Sequence, residues 1–200
     1  MTRSALAWAA VGGLLGVAWA ASLRGFMVGI AGDDSTFDWY GTFVAILLPG
    51  LVCGVLIGWV AKRRADGDTT GGWVYWSLLL LAIAPMTMPG ALAALVTTGI
   101  GGGAVAVALI GLLGGYALSG RGPIAARIAA AVIPVAMPFL FLLAPLFVPE
   151  LALTTPRGAW TAILFLALMA LLGLAAAIPL RRPRISVRPV DFAGARSSPS

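Results

Sequence analysis

The chain has 200 residues, 60% of them hydrophobic and only 10% charged, and carries a net charge of +6 without a single histidine. Soluble domains carry about 25% charged residues, so a mean hydropathy of +1.02 excludes a water-solvated fold and leaves the lipid bilayer as the solvent. The basic excess lies in short loops beside apolar runs, where membrane topology accounts for it, and it lends no support to nucleic-acid binding.

A helix needs about 20 apolar residues to cross a bilayer, and six runs approach that length. They predict an all-α polytopic membrane protein, with six transmembrane helices in residues 1–180 and a basic disordered tail over 181–200. The first run, about Ala5 to Leu23, follows Arg3 and has the layout of a signal peptide or a signal anchor. Ala18-Trp19-Ala20 resembles a cleavage site, but Trp8 and Trp19 are bulky for that role, and a retained anchor is the expectation.

A polar-to-mixed connection over Gly25 to Asp38 leads to the second span, about Gly41 to Val60, which stops at Lys62-Arg63-Arg64. The third covers about Trp73 to Leu95. A glycine-rich turn then opens the fourth, about Ala104 to Leu118, which is followed by Arg121. The fifth runs from about Ile124 to Phe147 and the sixth from about Ala159 to Leu180, where Arg181-Arg182-Pro183-Arg184 ends it.

With the N-terminus in the cytoplasm, Arg3, Lys62, Arg63, Arg64, Arg121, Arg127 and five tail arginines fall on one side, against Arg24 and Arg157 on the other. That is eleven to two, a strong positive-inside bias that predicts both termini cytoplasmic. Trp39 and Tyr40 at one boundary, with Trp59, Trp73, Tyr75 and Trp76 at the other, suit interfacial aromatic belts. Arginine outnumbers lysine twelve to one and alanine and glycine abound, a composition of GC-rich bacterial genomes that points to a bacterial cytoplasmic membrane.

Two patterns lie inside the spans. Gly50, Gly54 and Gly58 form a glycine zipper, and the same spacing recurs at Gly12 and Gly16 and at Gly111 and Gly115. Such faces let helix backbones approach closely, within one chain, in a homo-oligomer or against another membrane protein. Prolines interrupt the second span at Pro49, the third at Pro85 and Pro89 and the fifth at Pro134, Pro138 and Pro145, and Pro85-x-x-Met88-Pro89 is matched by Pro134-x-x-Met137-Pro138. Each proline frees a backbone carbonyl from the helix ladder. Ordinary kinks explain the pair; a faint internal repeat lining a transporter-like break is the functional alternative.

Catalytic chemistry is missing. No Asp, Glu, Lys or Arg occupies the middle of a span, where an ionisable group usually marks function, and the absence of histidine removes the usual base, proton shuttle and metal ligand. No catalytic residue, cofactor or metal site is therefore expected. Cys53 is single and sits among apolar neighbours without a base, which suits inert packing.

Polar groups cluster only between Arg24 and Thr42, and Arg24, Asp33, Asp34, Asp38, Trp39 and Thr42 are the candidate polar outer site. Three carboxylates in six residues match no calcium loop. Helix capping explains them, with Asp34 or Ser35 as the cap of the second helix, Asp38 in its first turn and Arg24 paired with a carboxylate. The run Arg24-x-x-Met27, followed after an acidic turn by Phe37-x-Trp39-x-Gly41-Thr42, resembles an uncharacterised family of multi-pass membrane proteins from GC-rich, actinobacterial genomes. The resemblance covers about twenty residues; it implies a bacterial membrane setting and carries no activity with it.

Together these features predict a non-enzymatic subunit or accessory component of a membrane assembly. The alternative is a small transporter or solute-binding component for a neutral or lipid-like substrate, with the size of the substrate-binding components of energy-coupling-factor importers. An enzyme acting on lipid headgroups through the Arg24–Asp38 cluster comes third.

Overall fold

The computed structural model describes residues 3–32, 35, 37–98 and 101–182, apart from the side chains of Ala94 and Thr98. Asp33, Asp34 and the tail beyond Arg182 lie outside the described residues. Those described form helices and short connections, with no strand among them.

Helix α1 (Arg3–Ala31) is longer than the expected first span. No proline occurs before Pro49, so nothing interrupts the ladder until Gly32, whose φ of +60° closes the helix in the left-handed conformation that glycine adopts most readily. Much of the expected Gly25–Asp38 connection is thereby helical, and α1 is about 43 Å long.

The second span begins at Trp39 as a wide π-helical winding, Trp39–Leu47, that runs into α2 (Leu48–Ala65). The cause is Pro49, which has no N–H and whose ring would crowd the carbonyl four residues back. One turn earlier the ladder slips outward, and Leu48 N–H reaches Phe43 O, five residues behind it.

The third span departs most from expectation. It starts as a 3₁₀ helix, Gly72–Leu79, continues as α3 (Leu80–Met86) and then breaks, and α4 (Ala91–Thr98) leaves at 100° to it. The break is a β-turn over Met88-Pro89-Gly90-Ala91, closed by Ala91 N–H to Met88 O at 3.0 Å, with Gly90 at φ +79°. Proline second and a left-handed glycine third are what a type II turn requires. The straight part of the third span therefore ends at Met86, short of the expected Leu95.

Helix α5 (Gly102–Leu118) follows from a left-handed Gly101, then α6 (Ile124–Phe141), two 3₁₀ turns at Ala144–Leu146 and Pro149–Leu151, and α7 (Pro156–Ala177) ending in a further turn, Ile178–Leu180. The expected fifth span to Phe147 stops at Phe141, ahead of Pro145. Thr155 caps α7 by accepting from Gly158 N–H at 3.0 Å. Among the described residues, Arg3–Ala31, Trp39–Ala65, Ile124–Phe141 and Pro156–Leu180 are long and apolar enough to cross a membrane; the bent pair makes a fifth if it is one broken span rather than a re-entrant loop, and Gly102–Leu118 is a shorter apolar helix.

Two helix pairs make the bundle. In the first, the zipper of α2 meets α1 backbone to backbone: a Cβ at Gly54 would lie 2.2 Å from Gly12 O, one at Gly58 2.3 Å from Trp8 O, and one at Gly16 2.1 Å from Gly50 O. In the second, α5 presents Gly111 and Gly115 to Leu172 and Ala176 of α7. The glycines of the fourth span thus pack on the sixth rather than joining the first two. Trp19 Nε1–H donates to Leu168 O at 2.9 Å, and Phe26, Phe141 and Phe165 stack with centroids 5.1–5.8 Å apart, tying the pairs together. Tyr75, expected in an aromatic belt, is instead buried and donates its hydroxyl proton to Leu112 O.

Arginines close the helix ends. Arg157 donates from Nε to Gly29 O at 2.8 Å and from Nη2 to Ile30 O at 3.2 Å, Arg127 Nε donates to Ala117 O at 3.0 Å, and Arg64 Nη2 donates to Pro179 O. Each supplies a cation and donors where a helix C-terminus has unsatisfied carbonyls.

Substituting Gly54 with leucine should cost more than about 3 kcal/mol or abolish cooperative unfolding, because the obstacle is backbone that cannot move aside. Gly25→Ala, where a Cβ meets nothing within 4 Å, should stay within about 1 kcal/mol and be stabilising; thermal unfolding in one detergent measures both. A second outcome concerns pH. The backbone N–H of Thr70 and then the Arg63 guanidinium hold the Asp68 carboxyl down, from 3.8 to about 2. A depressed folded value stabilises the fold above the unfolded pKa and is lost as protons return. The melting temperature of the wild type should fall between pH 4 and 2 more steeply than that of Asp68→Asn.

Candidate functional site

The polar segment and the α3–α4 elbow meet at one end of the bundle. Arg24, in the penultimate turns of α1, is buried; its Nη1 donates to Ser35 Oγ at 2.8 Å, and its guanidinium carbon lies 4.4 Å from the Phe37 ring centroid. A cation over an aromatic face is attracted by the ring quadrupole. Phe37, which carries that contact, was visible in the sequence only as part of the motif.

Asp38 is itself the cap of the second span, so neither Ser35 nor the first-turn placement of Asp38 describes the geometry. Its Oδ1 accepts from Gly41 N–H at 2.6 Å and its carbonyl from Thr42 N–H at 3.1 Å. A Cβ at Gly41 would fall 2.6 Å from Asp38 Oδ2, so a larger residue there must displace the capping carboxylate. Trp39 is 81% exposed and stacks on Phe43 at 4.7 Å, as suits an interfacial ring. Thr42 is buried, and its Oγ1 has no hydrogen-bond partner among the described residues.

A link absent from the sequence reasoning joins the two candidate regions. The Tyr40 hydroxyl and Thr87 Oγ1 are 2.8 Å apart, and Thr87 Oγ1 also donates to Ala84 O at 2.6 Å. Thr87 lies between Pro85 and Pro89, so the π-helical start of the second span is tied directly to the elbow. The two tyrosine and threonine positions are 47 residues apart, and nothing in local spacing signals the contact.

The second proline pair is elsewhere and behaves differently. Pro134, Met137 and Pro138 remain inside the continuous α6. Met137 lines an apolar crevice of about 410 Å³ with Leu95, Gly102, Ile133 and Leu140, while Pro134 and Pro138 line another of about 430 Å³ with Gly114, Met169 and Gly173. Pro85-x-x-Met88-Pro89 and its counterpart therefore share letters and not backbone: Pro89 is followed by glycine and turns, Pro138 by phenylalanine and stays helical. The zipper residues Gly50, Gly54 and Gly58 serve neither region and face α1.

Most polar groups of this arrangement are engaged with one another. Asp38 is committed to its cap, Cys53 is buried with its thiol donating to Ser77 O at 3.2 Å, and no group of three metal-ligating side chains exists among the described residues. A second buried hydroxyl, Ser77 Oγ, also lacks a partner among the described residues. The described residues form an all-helical chain with four helices long and apolar enough to cross a membrane, five if the bent pair is one span. No family model, curated protein or solved structure matches the chain.

A buried hydroxyl without an acceptor costs about 1–3 kcal/mol against an apolar group of the same shape. Thr42→Val should accordingly leave the melting temperature unchanged or raise it, whereas Arg24→Ala should lower stability by about 2 kcal/mol through loss of the charged hydrogen bond and the Phe37 contact. Paired thermal unfolding curves of the two variants distinguish these signs.

Proposed function

We propose that the chain is a six-pass protein of a bacterial cytoplasmic membrane, with both termini on the cytoplasmic side, working as a non-enzymatic subunit or accessory component. Six passes follow if the bent pair and the shorter Gly102–Leu118 helix each count as one crossing. The close approach of Trp8 to Gly58, of Arg64 to Pro179 and of Arg127 to Ala117 gathers the basic clusters at a single end, in keeping with the positive-inside rule. The arginine-rich composition and the resemblance carried by Arg24 to Thr42 support the bacterial setting.

One observation carries the accessory role. Helix α6 has Ala130 as its sole buried side chain, it displays the stripe Ile128, Val132, Val135 and Phe139, each at least 58% exposed, and apolar crevices run along both flanks. The Gly50, Gly54 and Gly58 face meets α1 within the chain, and the Gly111 and Gly115 face meets α7. The docking face is therefore α6, and its occupant an apolar transmembrane helix of another membrane protein. The elbow at Thr87–Gly90 favours a second reading, a carrier or binding component for a neutral or lipid-like substrate.

Mild purification from the native membrane, with mass spectrometry for co-purifying proteins and retained small molecules, separates the readings. A stoichiometric protein partner that is lost on Val132→Trp, with the melting temperature of the chain unchanged, is the expected result. A retained metabolite or lipid with no partner would replace the accessory role with the second reading.

A further inference from the structure

Residues 128–149, between Arg127 and Glu150, contain no ionisable side chain. A run of about 20 apolar residues is enough to cross a bilayer, yet the α-helix stops partway along this one. Arg127 sits in the second turn of α6, with its Nε donating to Ala117 O at the end of α5. From there to Phe141 the helix axis rises only about 21 Å, against a hydrocarbon layer of about 30 Å. The shortfall falls on the connection between α6 and α7.

That connection is unlike those at the other end of the bundle. Residues 66–70 include Asp66, Asp68, Thr69 and Thr70, and residues 119–121 include Ser119 and Arg121, whereas residues 142–149 carry no polar side chain. Phe147 is 86% exposed and Leu146 76%, with Leu142 and Leu143 half exposed. They continue the apolar stripe of α6 past the point where the helix ends. The stacking of Phe141 with Phe26 and the bond from Arg157 to Gly29 O place the connection at the Arg24 end.

Its backbone is closed on itself. Leu142, Leu143, Leu146, Phe147 and Val148 each donate their N–H to a carbonyl three or four residues back, at 2.9–3.1 Å, and Pro145 has no N–H to satisfy. In water such closure is unnecessary, and a protein surface can supply donors and acceptors of its own, as when a strand adds to a sheet edge. Lipid supplies neither, so irregular backbone among acyl chains must satisfy itself.

We propose that residues 142–147 lie among the acyl chains of the leaflet at the Arg24 end, and complete in 3₁₀ and turn backbone the crossing that α6 begins. Glu150, exposed and three residues beyond Phe147, then stands at the headgroups. The partner of this surface is lipid, and the placement does not depend on the accessory role, which concerns the helical part of α6.

The test places a nitroxide label on Phe147→Cys, on Leu146→Cys and, as the water-facing reference at the other end, on Thr69→Cys. Each full-length variant is reconstituted at low density into vesicles of phosphatidylcholine and phosphatidylglycerol, and the wild type, whose single cysteine is the buried Cys53, gives the labelling blank. Electron paramagnetic resonance reads collisions with oxygen, which concentrates in hydrocarbon, and with a neutral nickel chelate, which stays in water. Oxygen collisions should exceed nickel collisions at both 146 and 147, and the order should reverse at 69. Both labelled positions are exposed, so neither substitution opens the core. The proposal is overturned if nickel dominates at either position, which puts the segment in water, or if neither reagent reaches it, which means a protein surface covers it.

Discussion

The fold depends on the contact between α1 and α2, where backbone touches backbone. In lipid, apolar side chains gain little by leaving their surroundings for one another, so helices associate through close packing and the weak polar contacts that closeness allows. Carbonyls of Trp8, Gly12, Gly16 and Gly50 sit where a Cβ on the facing glycine would intrude, a separation at which Cα–H groups and carbonyls interact directly. Helix α1 is thereby fixed along its length, and Trp19 and Phe26 are carried to their partners on α7. The α5–α7 pair repeats the principle with Gly115 against Ala176. Helix α6 has no comparable seam, and it is the most exposed of the long helices.

Arginine has a second structural task besides orienting the chain. A helix ending within or beside a bilayer leaves carbonyls that water does not fully reach. Here the guanidinium that satisfies them comes from another part of the chain: Arg157 serves α1, Arg127 serves α5 and Arg64 serves the end of α7. The planar fork of arginine reaches two acceptors at once, as Arg64 and Arg157 do, and a lysine ammonium lacks that fixed geometry. The preference for arginine over lysine, twelve to one, thus has structural use whatever its genomic origin.

The helical class and the apolar segments were legible because lipid imposes a simple length and composition rule. Their ends were less so. Arg24 follows the apolar run Ala5–Leu23 directly, yet the helix continues to Ala31 with Arg24 buried against Ser35 and Phe37. The broken third span was readable in part: Pro89-Gly90 is a turn dipeptide, whereas Pro138, its counterpart in the repeated Pro-x-x-Met-Pro letters, is followed by Phe139. The zipper was legible as a packing face, but which helix it meets is a long-range fact. The same holds for Tyr40 and Thr87, whose hydrogen bond unites regions that the sequence presents as separate.

The 3₁₀ helix at the start of the third span sets a height. Eight residues, Gly72–Leu79, wound at about 2.0 Å per residue instead of 1.5 Å stretch roughly 4 Å further than the same residues would as α-helix. Thr87 stands above that segment, and its reach to Tyr40 is calibrated to the longer winding. Rewinding those two turns would lower the elbow by about the length of a hydrogen bond and separate the pair. The junction between the second and third spans is therefore a gauge, in which the pitch of one helix end is reported by a single hydroxyl contact at the other.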